Sequence, residues 1–177
     1  MPLFGFGRPK QQGVEKARRQ SPGGVYEGLR EMVLGLDAEK VRAEPSTELP
    51  HVWGVIVDWA VANGFATFVA LLDGTSSMYT SSGGGIIGGH GHESVRAANR
   101  ALLLAAEAAH DHLATADVAE VPVPGRVTYW VRTYVGLRAA SHSSDGPPSA
   151  EPWLVGLGNA FQDFVTALRS TDEQRGS

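Results

Sequence analysis

The chain has 177 residues, with 15 Lys and Arg against 19 Asp and Glu for a formal net charge of −4, and 42% of its residues are hydrophobic. At roughly 150 residues per domain this predicts one soluble core with tails to spare, long enough to fold without staples. It contains no cysteine, which excludes a disulfide scaffold, a thiolate zinc site and a cysteine nucleophile.

Residues 1–23 predict a basic, flexible tail. Arg8, Lys10, Lys16, Arg18 and Arg19 face a single Glu15, among several glycines and Pro2, Pro9 and Pro22. Such composition buries little apolar surface. Leu3, Phe4 and Phe6 run straight into Arg8, Pro9 and Lys10, without the apolar stretch of a signal peptide, so a cytoplasmic protein is expected. A single domain is then expected over residues 24–170, followed by a C-terminal tail over 171–177. Its first element is a helix over 24–36, from the helical recurrence of Tyr26, Leu29, Met32, Val33 and Leu36. The charged, proline-bounded stretch 37–50 reads as a connection.

Val52 to Leu72 is apolar for 21 residues, with Asp58, Asn63 and Thr67 as its clearly polar side chains. Length alone would allow a membrane span. An Asp inside the run, at about 2.5–3.5 kcal/mol near a helix centre, and the Asn63-Gly64 turn signal favour two buried strands instead. No membrane span is expected. Asp73-Gly74 turns the chain again into a third, more polar strand over 75–81, an antiparallel meander. The first two strands are apolar on both faces, so both faces of the sheet must be covered.

Beyond the glycine-rich stretch 83–91, a long helix is predicted over 92–113. Its polar stripe is Glu93, Arg96, Arg100, Glu107 and Asp111; nearly all else is Ala or Leu, so its buried arc is wide. Ala97, Ala101, Ala105 and Ala108 would admit a close second helix. Leu103 interrupts the polar stripe and belongs either to the core or to a helix–helix interface. Residues 126–134 alternate, with Val127, Tyr129, Val131 and Val135 on one face and Arg126, Thr128, Trp130, Arg132 and Tyr134 on the other. Gly136 turns the chain into a return strand over 137–142. A final helix starts at Glu151-Pro152, with Pro in the first turn, and presents Leu154, Leu157, Phe161, Phe164, Val165 and Leu168.

The expected fold is therefore α+β, a five-stranded, mostly antiparallel sheet in the order α-βββ-α-ββ-α. In outline this resembles the profilin-like group of small folds, and the roadblock/LC7 domains in particular. The pieces that carry the resemblance are Phe65 to Ser81 running into the Gly-rich turn, and the Ala/Leu-rich helix 92–113. Roadblock domains split their strands as two and three around the central helix, where this chain has three and two. The resemblance implies a dimeric platform for small GTPases and motors. The segment 73–89 also resembles stretches of uncharacterised bacterial proteins, which imply no known chemistry.

Several patterns invite a chemical reading. Gly83, Gly85 and Gly88 match G-x-G-x-x-G between a strand and a helix. The upstream strand belongs to a hairpin, no acidic residue closes a second strand, and there is no Gly-Lys-Ser/Thr, so a structural crossover is preferred. A backbone anion nest formed by Gly83, Gly84, Gly85, Gly88, Gly89 and Gly91 stays as the alternative. His90 and His92 are weak metal candidates. The second pair, His110 and His112, would lie about 27–30 Å along the same helix, so solvated histidines are preferred over a metal centre. No G-x-S-x-G elbow or H-E-x-x-H is present. The chain is read as non-enzymatic, without a cofactor.

Charge placement says more. Residues 1–24 carry +4 and residues 121–144 carry +3, leaving −11 on the rest. A partner surface is therefore expected on the second hairpin, from Arg126, Trp130, Arg132, Tyr134 and Arg138. Three arginines are few for nucleic acid, and the acidic remainder would repel it. The expected function is a cytoplasmic interaction or scaffold module, self-associating as a homodimer through apolar surface its own helices leave open. The alternative is a small-ligand or anion-binding protein using 83–91.

Overall fold

The structure is a computed structural model and describes residues 22–61, 63–146 and 151–175. Strands β1 (Val52–Val61) and β2 (Gly64–Leu71) form the predicted hairpin, pairing antiparallel with Ile56 opposite Val69 and Val57 opposite Phe68. Gly64 is already the first residue of β2, opposite Val61. Strand β3 (Ser76–Thr80) continues the meander. After the central helix α2 (Glu93–Ala109), β6 (Arg126–Thr133) pairs with β1 and hairpins into β7 (Gly136–Ser143).

The sheet has seven strands rather than five. The two additions are short: β4 (Gly85–Ile86) beside β3, and β5 (Ala114–Ala116) beside β7. Neither segment carries β-branched alternation. They pair because neighbouring elements hold their backbones against a strand edge, which propensity does not register. At Gly85 a Cβ would lie 2.3 Å from the Met78 carbonyl oxygen, so the β3–β4 approach requires glycine. The sheet order is β4-β3-β2-β1-β6-β7-β5, and every described pairing is antiparallel. Four strands precede α2 and three follow it.

Helix α1 spans Pro22–Leu34 and ends where the Gly35 amide bonds the Glu31 carbonyl. Helix α2 stops four residues short of the predicted end, because His110–His112 tightens into a 3-10 turn. Helix α3 (Pro152–Arg175) begins as predicted. It runs on past residue 170, with the buried Thr171 hydroxyl donating to the Leu168 carbonyl at 2.7 Å.

Both faces of the sheet are covered, as the doubly apolar strands require. On the first face, Val55, Val57, Phe68, Tyr129 and Val131 meet Val95, Leu102, Leu103 and Ala106 of α2 and Leu157, Phe161, Phe164 and Leu168 of α3. Phe161 is the hub, edge-on to Phe68 at 5.1 Å and to Tyr129 at 5.8 Å, the geometry aromatic quadrupoles favour. On the second face, Trp53, Ile56, Val69, Tyr79 and Trp130 pack with Tyr26 and Val33 of α1 and Val41 of the connection. Part of the surface that the sequence leaves for a partner is thus covered by the chain itself. Cover there is thinner: seven strands at about 4.8 Å span roughly 30 Å, and one helix is about 10 Å wide.

Candidate functional site

Asp58 is the one acid in the middle of β1, and it is 2% exposed. Arg30 of α1 donates from Nε to both carboxylate oxygens, at 3.1 and 3.2 Å, and from Nη2 to Oδ2 at 2.7 Å. Trp130 Nε1 donates to Oδ2 at 2.8 Å and Thr67 Oγ1 to Oδ1 at 2.6 Å. With the Thr67 proton engaged, the Tyr26 hydroxyl donates to Thr67 Oγ1 at 2.9 Å. A carboxylate accepting this many bonds has no lone pair to spare as a base. It clamps α1 to the sheet. Arg30 also donates to the Glu120 carbonyl, so the clamp positions the 117–123 connection too.

A second cluster lies where α2 ends beside the start of β1. The His51 ring stacks on His110, centroids 4.3 Å apart and planes 15° from parallel. His51 Nδ1 bonds Glu107 Oε1 at 2.6 Å, and His110 Nδ1 bonds Asp111 Oδ1 at 2.9 Å. Glu107 Oε2 also accepts the amides of His51, at 3.1 Å, and Val52, at 2.8 Å. Burial pushes the Glu107 carboxyl up, but these bonds and the nearby His51 outweigh it, and the carboxyl sits below its ordinary value of 4.5. The His110 bond and charge hold Asp111 low as well. Burial, with Glu107 and Glu44, pushes the Tyr134 phenol up. His110 Nε2 and the Tyr134 hydroxyl are buried without a hydrogen-bond partner among the described residues.

The Glu107 contacts set a pH dependence. A carboxyl lower in the folded than in the unfolded state contributes stability above its unfolded value, and this is lost as pH falls through the folded one. Glu107→Gln should lower stability by about 1–2 kcal/mol at pH 7. The gap to wild type should close as pH drops below 4.5, read from urea denaturation between pH 7 and 3. A gap that is flat with pH would contradict this.

A groove runs over β6 and β7 on the second face, with a volume of about 540 Å³. Trp130, Thr128 and Ser141 lie along it, Val118, Val121 and Val123 flank it, and Arg126 stands at the start of β6. Beside it, among the described residues, the outer edge of β7 is open beyond Ala139, since β5 pairs with Leu137, Arg138 and Ala139.

No family model, curated protein or solved structure matches this chain.

The five residues expected to share one partner surface do not share one. Arg126 is exposed and donates to Ser141 Oγ. Trp130 is buried against Asp58. Arg132 lies over Trp53, 5.0 Å from the ring centre, and donates to the carbonyls of Leu34, at 3.0 Å, and Leu36. It thereby satisfies the orphan carbonyls at the end of α1. The Tyr134 ring packs against the second-face core. Arg138 pairs across from Val131, placing it on the opposite face from Arg132, and donates to the Leu113 carbonyl at 3.1 Å. Alternation along one strand does not reveal the register of the next, nor which arginines are consumed by helix ends.

The glycine segment builds β4 and a 3-10 turn (Gly89–Gly91). Gly89 is buried where a Cβ would meet Leu168 Cδ2 at 2.8 Å, so its smallness serves the packing of α3. The carbonyl of Gly83 accepts from Thr80 Oγ1 at 2.6 Å, and that of Gly84 from the same hydroxyl at 3.3 Å. Gly88 and Gly91 open and close the turn that leads into α2. His92 caps α2 through its backbone, and the exposed His90 offers its carbonyl to Arg96 at 2.9 Å. Among the described residues, no three His, Asp or Glu side chains stand together as a metal site. Among them too, no helix is long and apolar enough to cross a membrane.

Proposed function

We propose that this chain is a cytoplasmic, non-catalytic interaction module whose β7 groove receives an extended segment of a protein partner. The observation that carries the reading is the open edge of β7 from Ala140 to Ser143, beyond the reach of β5. An edge strand offers unpaired amides and carbonyls to an added strand. The adjacent groove offers pockets for its side chains, with Val118 70% and Val121 77% exposed. Exposed valines on a connecting segment favour a protein partner over a polar small molecule. The resemblance to roadblock/LC7 domains, which act as dimeric platforms, points the same way. Self-association is a second reading, favoured by α2: Ala97, Ala101, Leu104 and Ala108 form an exposed stripe on the side away from the core.

One experiment addresses both. The tagged chain is purified from its native host beside Val121→Asp/Val123→Asp and Ala101→Arg variants, with mass measured by light scattering. A partner retained by wild type and Ala101→Arg but lost from the double valine variant supports the groove. A mass of twice 18.8 kDa that reverts to one chain in Ala101→Arg supports the α2 dimer. A partner that binds all three variants equally overturns the groove, and a single-chain mass at every concentration overturns the dimer. A melting shift of several degrees with phosphate or a nucleotide, binding only the native state, would favour the glycine-loop alternative.

A further inference from the structure

We propose that the stacked His51–His110 pair is an acid-operated latch that holds β5 on the edge of the sheet at neutral pH and releases it on acidification. This goes beyond the interaction reading and stands without it.

His110 is 8% exposed and opens the 3-10 turn that leads directly into β5. Its Nδ1 faces Asp111, so Nε2 carries the lone pair, buried and without a partner; this tautomer follows from the hydrogen-bond network. Histidine is the side chain that changes charge between about pH 5 and 8. A proton added to His51 is easily accommodated, because its ring is half exposed and Glu107 lies against it. A proton added to His110 is not. It would place a buried N–H where Nε2 has no partner among the described residues, which is costly, and set a second cation 4.3 Å from the first.

The other charged groups around the pair do not remove that conflict. Asp111 favours a charged ring from the Nδ1 side, but it is 94% exposed, so water screens the pair, and it leaves Nε2 without an acceptor. Arg138, from β7, is a further cation, donating to the carbonyls of His110, at 3.4 Å, and Leu113. The Tyr134 hydroxyl comes from the β6–β7 turn, and Glu44 acts on it from the connection. His112, on the same turn, stacks on Trp153 of α3 with centroids 5.5 Å apart, a contact that a charge on the imidazole strengthens.

Relief comes by turning the His110 ring outward, which unwinds the 110–112 turn. That turn and the Leu113 that caps it carry the two carbonyls Arg138 holds and the Leu113 amide bond to the His110 carbonyl at 3.2 Å. Strand β5 has three residues, too few to stay paired once its anchor goes. Its release lengthens the open edge of β7 from Gly136 to Ser143.

The test is NMR on the full chain at pH 7.5 and 5.0, reading the cross-strand contacts Ala114–Ala139 and Ala116–Leu137. In wild type these should lose more than half their intensity at pH 5.0, while contacts between β1 and β6 persist. His110→Phe keeps the stacked ring but takes no proton, and should hold β5 at both pH values. His112→Gln should release β5 as wild type does. Persistence of the wild-type contacts at pH 5.0, or equal loss in His110→Phe, overturns the latch. If His110→Phe does not fold, the wild-type titration decides: β5 amide shifts must follow the His110 ring signals, and shifts that follow only carboxylates overturn it.

Discussion

Asp58→Ala is expected to destabilise the protein by about 3–5 kcal/mol, the effect of breaking a buried ion pair by removing one partner. The loss goes beyond one bond. Arg30, Thr67 and Trp130 all donate to this carboxylate, and alanine leaves two buried neutral donors and an unpaired guanidinium behind. Two rows of structure depend on it, since Arg30 also holds the Glu120 carbonyl. The double variant Arg30→Met/Asp58→Leu should recover much of the loss, because it removes both charges and replaces them with apolar volume. Urea denaturation midpoints at pH 7 measure both. If Asp58→Ala costs less than about 1 kcal/mol, the network is not the clamp described.

Leu103→Glu is expected to be of similar size, about 3–5 kcal/mol, and to report on folding rather than association. Leu103 is 2% exposed, packed with the first-face core and not on the outer stripe of α2. A glutamate there would be an unpaired charge among Leu and Phe side chains. Ala101→Glu, two residues away and on the exposed side of the helix, should change stability by no more than about 0.5 kcal/mol. Circular dichroism melts of the two variants, read beside their masses, separate the two faces of α2. A folded, stable Leu103→Glu chain would move this residue out of the core.

The acid in β1 shows how a signal can be read for too little. In the sequence, Asp58 argues against a membrane span. A lone acid in a strand that is apolar on both faces must also be paired, because burying it bare is costly. Its partner could not be found by spacing, since Arg30 is 28 positions away on another element. Glu107 was legible as part of the polar stripe of α2. Its bonds to His51 and to the start of β1 depend on how α2 lies across the sheet, and no local pattern encodes that.

The sequence by itself determined the meander of β1, β2 and β3, the first, central and final helices, the β6–β7 hairpin and the need to cover both faces of the sheet. Each follows from periodicity, turn chemistry or the balance of apolar surface, which act over a few neighbouring residues. Tertiary structure alone decided the rest. It made strands of Gly85–Ile86 and Ala114–Ala116, which pair because a neighbour's edge lies within reach. It spent Arg132 and Arg138 on the carbonyls of distant turns, and it brought His51 onto His110. These outcomes rest on contacts between residues far apart in the chain, whose energies depend on register and orientation, and neither quantity is written in composition or period.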